Sequence, residues 1–197
     1  MKYKHIVFDY GNVLGTFDPS YILNQFCNSK EDFPILYEAV FEHWQELDEG
    51  TADYTTCIQQ ALLKLPERLH SVTNAFFQDW YRHLPPIEKM WELASQVKQQ
   101  GASVYLLSNA SSYFADHALK VCDILKDFDG ILFSGPNRCA KPDSVIYNLL
   151  FERFQLKPED CFFIDDNADN IKAAKNMGMD GIVFDGNVNA IKERIGL

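Results

Sequence analysis

Two kinds of hydrophobic pattern alternate along this chain. Ile6-Val7-Phe8 is a run of β-formers that stops at Asp9, with Gly11-Asn12 close behind. That is the pattern of a buried parallel strand with a tight turn at its carboxyl end. From Asp18-Pro19-Ser20 to about Leu84 the period is helical instead. Tyr21, Ile22 and Phe26 mark one face; Ile35, Leu36, Ala39, Val40, Trp44 and Leu47 a second; Ile58, Ala61, Leu62 and Leu65 a third; Phe76, Phe77, Trp80, Tyr81 and Leu84 a fourth. Asp53 and Thr73 are expected helix starts, Gly50 separates the second helix from the third, and Pro66 ends the third.

Beyond Pro85-Pro86, which opens a helix running to about Gln100 and stopped by Gly101, strands and helices take turns. Strands are expected over 102–107, 130–133, 161–164 and 181–184, and helices over 111–121, 143–155, 169–177 and 188–195. Strict alternation implies an α/β fold, a doubly wound and mostly parallel Rossmann-like sheet. The expected domains are a core of residues 1–15 and 85–197 and an all-helical cap, residues 16–84, inserted after the first strand.

Composition narrows the partners. A formal charge of −10 leaves no excess of Lys and Arg for a phosphate backbone, so no nucleic acid is expected. No apolar run approaches a membrane span and residues 1–8 carry no leader pattern, so a cytoplasmic protein with no membrane partner is expected. Five scattered cysteines without CxxC spacing read as buried free thiols rather than as disulfides or a zinc site. Oligomeric state is not legible.

The chemistry lies at the strand ends, where ligands of open α/β sheets bind. The strands deliver in turn Asp9, Ser108-Asn109, Lys141 just beyond the third, and Asp165-Asp166. Carboxylates converging on one crevice repel one another unless a cation joins them. Few carboxylates and all-oxygen ligation suit Mg²⁺. A hydroxyl, an amide and a lysine can stabilise a phosphoryl group, and a free aspartate beside them is a reasonable nucleophile toward phosphorus.

The ordered set resembles the haloacid dehalogenase (HAD) superfamily, subfamily I with a C1 helical cap. The first motif there, an apolar strand followed by DxDx[TV], is met by Asp9-Tyr10-Gly11-Asn12-Val13; the second by Ser108; the third by Lys141-Pro142; the fourth, DDxxxN, by Asp165-Asp166-Asn167-Ala168-Asp169-Asn170. The resemblance implies Asp9 as nucleophile and metal ligand, with the Gly11 carbonyl, Asp165 and Asp166 as further ligands of Mg²⁺. It implies Ser108, Asn109 and Lys141 as the phosphoryl-binding set, and Asn170 as the group that orders the acidic pair. The implied activity is hydrolysis of a small-molecule phosphate ester through an aspartyl-phosphate.

The chain departs from the motif at Gly11, where most phosphatases of the superfamily carry a second Asp that moves protons. General acid–base catalysis contributes about 10²–10⁴-fold, so its loss would weaken the chemistry. Members with DxGN in this motif and a small helical cap act on sugar phosphates such as glucose 1-phosphate, and a sugar phosphate is the expected substrate. Asp18 is the expected substitute acid. The alternatives are a catalytically impaired binding or regulatory protein and, further off, a dehalogenase, against which the intact Asp165-Asp166 pair argues.

Overall fold

The computed structural model describes all 197 residues. Five strands, β1 (His5–Phe8), β2 (Ser103–Ser108), β3 (Gly130–Phe133), β4 (Cys161–Asp165) and β5 (Asp180–Val183), form one sheet of order β3-β2-β1-β4-β5. Every pairing is parallel. The central strand is thus the one that ends in Asp9, flanked by the strands that end in Ser108 and Asp165 (Phe8 pairs with Leu106 and Ile164).

Alternation along the strands explains why their sequences read as unbroken apolar runs. Ile6, Phe8, Val104, Leu106, Phe162 and Ile164 enter the larger buried cluster, and Val7, Tyr105, Leu107, Leu132 and Phe163 enter the smaller one on the opposite face. Successive strand residues point to opposite faces, and both faces are covered. One face is covered by Met90, Leu93, Ala94 and Val97 of a helix over Glu88–Gln99, Phe114 and Ala118 of another over Ser112–Val121, and Ile191 and Ile195 of the last, Val188–Ile195. The other is covered by Ile146, Tyr147 and Leu150 from Ser144–Phe154 and Ile171 and Ala174 from Ala168–Asn176.

Between β1 and β2 lie five further helices: α1 (Pro19–Asn24), α2 (Phe33–Phe41), α3 (Trp44–Glu49), α4 (Tyr54–Lys64) and α5 (His70–Asp79). The helices after them are then α6 (Glu88–Gln99), α7 (Ser112–Val121), α8 (Ser134–Asn137), α9 (Ser144–Phe154), α10 (Ala168–Asn176) and α11 (Val188–Ile195). The chain leaves and re-enters the sheet region through two antiparallel passes held by backbone bonds, Thr16 N–H to Pro85 O at 2.8 Å and Ile87 N–H to Leu14 O at 2.9 Å. No helix is long and apolar enough to cross a membrane, and all five cysteines are free, four of them buried.

Two expectations need correction, and one short helix is new. The second helical face is two helices, because His43 leaves the helical conformation and lets Trp44 turn onto Trp80, their rings 4.7 Å apart. Thr73 does not start a helix; it is buried inside α5 with its hydroxyl donating to Leu69 O at 2.8 Å, and the turn Glu67–Leu69 leads the helix in instead. Short α8, directly after β3, was not expected at all. It matters because Gly50, left-handed at φ +71°, closes α3 against it: a Cβ on Gly50 would stand 2.2 Å from Gly135 O.

Gly50→Ala is therefore expected to combine backbone strain with a clash that only movement of α3 relieves, costing about 2 kcal/mol or more. For a chain of this size that is a fall in Tm of roughly 4–8 °C. A thermal melt indistinguishable from wild type would contradict this packing.

Candidate active site

The carboxyl ends of β4, β1 and β2 bring a buried charge cluster together. Lys141 Nζ, its side chain 1% exposed, donates to Asp9 Oδ1 at 2.8 Å, Asp165 Oδ2 at 2.7 Å and Leu107 O at 2.9 Å. An ammonium has three donors, so all are engaged. The lysine is set in place by its backbone, which exchanges two 2.8 Å bonds with the Asn109 side chain. Asp165 is fully buried, and its Oδ1 accepts from Asn167 N–H at 2.8 Å while Asn170 Nδ2 bridges both oxygens at 3.0 Å. Asp166 is exposed and is met by Asn12 Nδ2 at 3.0 Å. Asn12 takes the left-handed conformation (φ 54°), which asparagine tolerates better than most residues, and its amide oxygen accepts from Phe17 N–H.

Burial pushes the Asp9 carboxyl up to about 6, with Asp165 adding to the rise and Lys141 and Ser108 opposing it. Burial alone would lower the Lys141 pKa, but the facing Asp9 and Asp165 outweigh it and hold the ammonium above its ordinary range. Carboxylate oxygens of Asp9, Asp165 and Asp166 lie within 4.8 Å of one another. Three carboxylates stand against one ammonium, and their oxygens are the donor type a hard divalent cation takes.

Above this cluster is a cavity of about 140 Å³ whose lining includes Asp9, Gly11, Asn12, Ser108, Asn109 and Asp166. Lys141 and Asp165 lie beneath it. Across from Asp9 the insert supplies Phe17, Trp44, Asp48, Trp80 and Leu84, and α7 supplies Phe114. Aromatic contacts knit these walls: Phe17–Trp44 at 5.7 Å, Trp44–Trp80 at 4.7 Å and Trp80–Phe114 at 5.6 Å between centroids. The aromatic density of the insert therefore lines the cavity as well as filling its core.

Asp18 is not part of this site. Its exposed carboxylate caps α1, accepting from Ser20 and Tyr21 N–H at 2.9 and 3.0 Å, which corrects its expected role as substitute acid. Asp169 is an exposed first-turn acid of α10. Asp48 went unnoticed in the sequence because it sits in an ordinary acidic stretch, Glu46-Leu47-Asp48-Glu49. The one available signal was its position four residues after Trp44, which puts both on one helical face.

Comparison with known proteins agrees with this geometry. A family model described as haloacid dehalogenase-like hydrolase matches residues 3–178. The chain is 28% identical to the sesquiterpene phosphatase astK of Aspergillus oryzae, over 91% of this chain and 89% of that protein. It is 26% identical to the phosphorylated carbohydrates phosphatase of Thermotoga maritima, over 78% of this chain and 62% of that one. Among solved structures, a HAD family enzyme of Bacteroides thetaiotaomicron in complex with magnesium and inorganic phosphate superposes with a TM-score of 0.72 at 22% identity, over 94% of this chain and 96% of that one. With four ordered motifs, an all-parallel five-stranded sheet and a family match across most of its length, the chain belongs to the haloacid dehalogenase-like hydrolases.

Proposed function

We propose that this hydrolase is a Mg²⁺-dependent phosphatase acting on a small phosphate monoester through an aspartyl-phosphate on Asp9. The observation that carries the reading is the convergence of Asp9, Asp165 and Asp166, with Lys141 between the first two and Ser108 and Asn109 lining the cavity beside Asp9 and Asp166. Asp9, Asp165, Asp166 and the Gly11 carbonyl would hold the cation, which when bound offsets the charge of the phosphoryl oxygens and of the acids themselves. Asp9 attacks phosphorus, the ester oxygen departs with the leaving group, and water then cleaves the acyl phosphate to regenerate Asp9. The Ser108 hydroxyl and the Asn109 backbone N–H hold the phosphoryl oxygens. Lys141, with its donors on Asp9 and Asp165, orients the nucleophile and steadies the excess negative charge.

Residues 16–84 act as a cap. A 140 Å³ cavity is smaller than the usual ligand site, so the cap opens to admit substrate, and the paired passes at 14–16 and 85–87 are where it would move. For the leaving group the first reading is a sugar phosphate, its C–H face laid on Trp44 and Trp80. A second reading, an isoprenoid or other apolar phosphate, is favoured by the lining: Phe17, Trp44, Trp80, Leu84 and Phe114 are apolar, and the cap contributes a single charged group, Asp48.

Phosphate release from 4-nitrophenyl phosphate is expected with Mg²⁺, to be lost in EDTA, and to fall at least about 10³-fold in Asp9→Asn, in protein that circular dichroism shows to be folded at the assay temperature. Metal-independent release, or full activity in Asp9→Asn, would sink the reading. On glucose 1-phosphate and geranyl phosphate, the ester with the higher kcat/KM names the leaving-group class; the sugar reading expects at least about tenfold in its favour, or ~1.4 kcal/mol of transition-state binding.

A further inference from the structure

A phosphatase of this kind needs an acid for the departing oxygen, and Gly11 has no side chain to supply one. Space does not forbid it: a Cβ at Gly11 would have Phe17 Cβ as its nearest neighbour at 4.0 Å, and its φ is not positive. The opposite wall does hold an acid. Trp44 and Asp48 are four residues apart on α3, share one helical face, and both line the cavity that Asp9 lines from below.

Asp48 is held there from two sides. Ser134 Oγ donates to the Asp48 backbone carbonyl and accepts from Ala110 N–H at 2.8 Å, so one buried hydroxyl ties α3 to the loop that begins with Ser108. Two residues on, Gly50 closes α3 against Gly135, and Arg138 Nε donates to Gly50 O at 3.3 Å. The charges that act on the carboxyl are those of Asp9, just past β1, and Glu49 on its own helix, with the Ser111 N–H before α7 as a polar contact. Burial raises this carboxyl to about 8, with the Asp9 and Glu49 charges adding to the rise and the Ser111 N–H opposing it. An acid on the wall of the cavity that Asp9 also lines can exchange a proton with a group held between them.

Resting on the phosphatase reading, we infer that Asp48 is the general acid–base of this site, reaching the ester oxygen from the cap in place of an acid at position 11. As the bond from phosphorus to the ester oxygen breaks and Asp9 bonds to phosphorus, the Asp48 carboxyl proton passes to the departing oxygen, leaving an alcohol and an Asp48 carboxylate. In the second step water attacks phosphorus, its proton returns to Asp48, and the bond from phosphorus to Asp9 breaks. The sum is ester plus water giving alcohol plus phosphate, with both aspartates restored. Proton transfer then occurs only with the cap closed, which couples closure to chemistry.

The test is kcat/KM for a series of substituted phenyl phosphates, from 4-nitrophenyl to unsubstituted phenyl, in wild type, Asp48→Asn and Asp9→Asn with Mg²⁺. These esters match in shape and differ in how much their oxygen needs a proton. Asp48→Asn is expected to lose about 10²–10⁴-fold on phenyl phosphate and progressively less toward 4-nitrophenyl phosphate, steepening the dependence on leaving-group basicity. The 4-nitrophenyl ester doubles as the check that the variant is folded and its nucleophile intact. An equal loss across the series would make Asp48 a binding or structural group and overturn the assignment; so would no loss on phenyl phosphate. If wild type shows no Asp9-dependent hydrolysis of any member, the phosphatase reading fails and this assignment with it.

Discussion

The rest of the site depends on a buried ammonium between two carboxylates. Lys141 is sequestered with Asp9 and Asp165 at the ends of two adjacent strands, and removing one partner of such a pair typically costs about 3–5 kcal/mol. The sheet order makes the arrangement possible, since β1 lies between β2 and β4 and their three carboxyl ends meet on one edge. Asn109, Asn167 and Asn170 are accessory to that pairing. Asn109 fixes the lysine backbone, the Asn167 N–H satisfies Asp165 Oδ1, and the Asn170 side chain bridges both Asp165 oxygens. One lysine cannot neutralise three acids, and the remaining negative charge gives this edge the donor set a hard divalent cation takes.

Whatever sits on that edge is roofed by the helices between β1 and β2. Their buried residues form one continuous cluster with one face of the sheet, running from Ile22 and Phe76 through Trp80 to Phe114 and Leu106. Contacts at the far side are more polar and more local: Tyr113 OH on Gln78 O, Tyr54 stacked on Tyr113 at 4.2 Å, and Ser134 beneath Asp48. The shared apolar cluster therefore ties the roof to the sheet, and the contacts at its far side are the fewer and weaker ones.

Much of this was legible before any coordinates. Polar residues that end apolar strands are conspicuous, and Asp9, Ser108, Lys141 and Asp165-Asp166 stood out because nothing in strand packing asks for them. The parallel sheet followed from the alternation of apolar runs with helical periods. The helices inserted after β1 were legible as helices but not as the wall of a cavity. Periodicity says which side of a helix is apolar, and Trp44 and Trp80 satisfy that pattern equally well as core or as cavity wall. Asp48 was invisible for a related reason, since an acid within Glu46-Leu47-Asp48-Glu49 looks solvated until α8 and α7 are seen to close around it. Asp18 illustrates the reverse error. Nearness in sequence to the first motif made it attractive, but an aspartate before Pro19 at a helix start is a cap, and the cap takes its carboxylate.

The central claim is a covalent bond between Asp9 and phosphorus, and the most direct measurement is mass spectrometry of protein quenched in acid during turnover of 4-nitrophenyl phosphate with Mg²⁺. A phosphoryl adduct located on the peptide that carries Asp9, formed and consumed at rates consistent with turnover, is the predicted result. Steady hydrolysis with no adduct on Asp9 at any quench time, or with the adduct on another residue, would contradict the account.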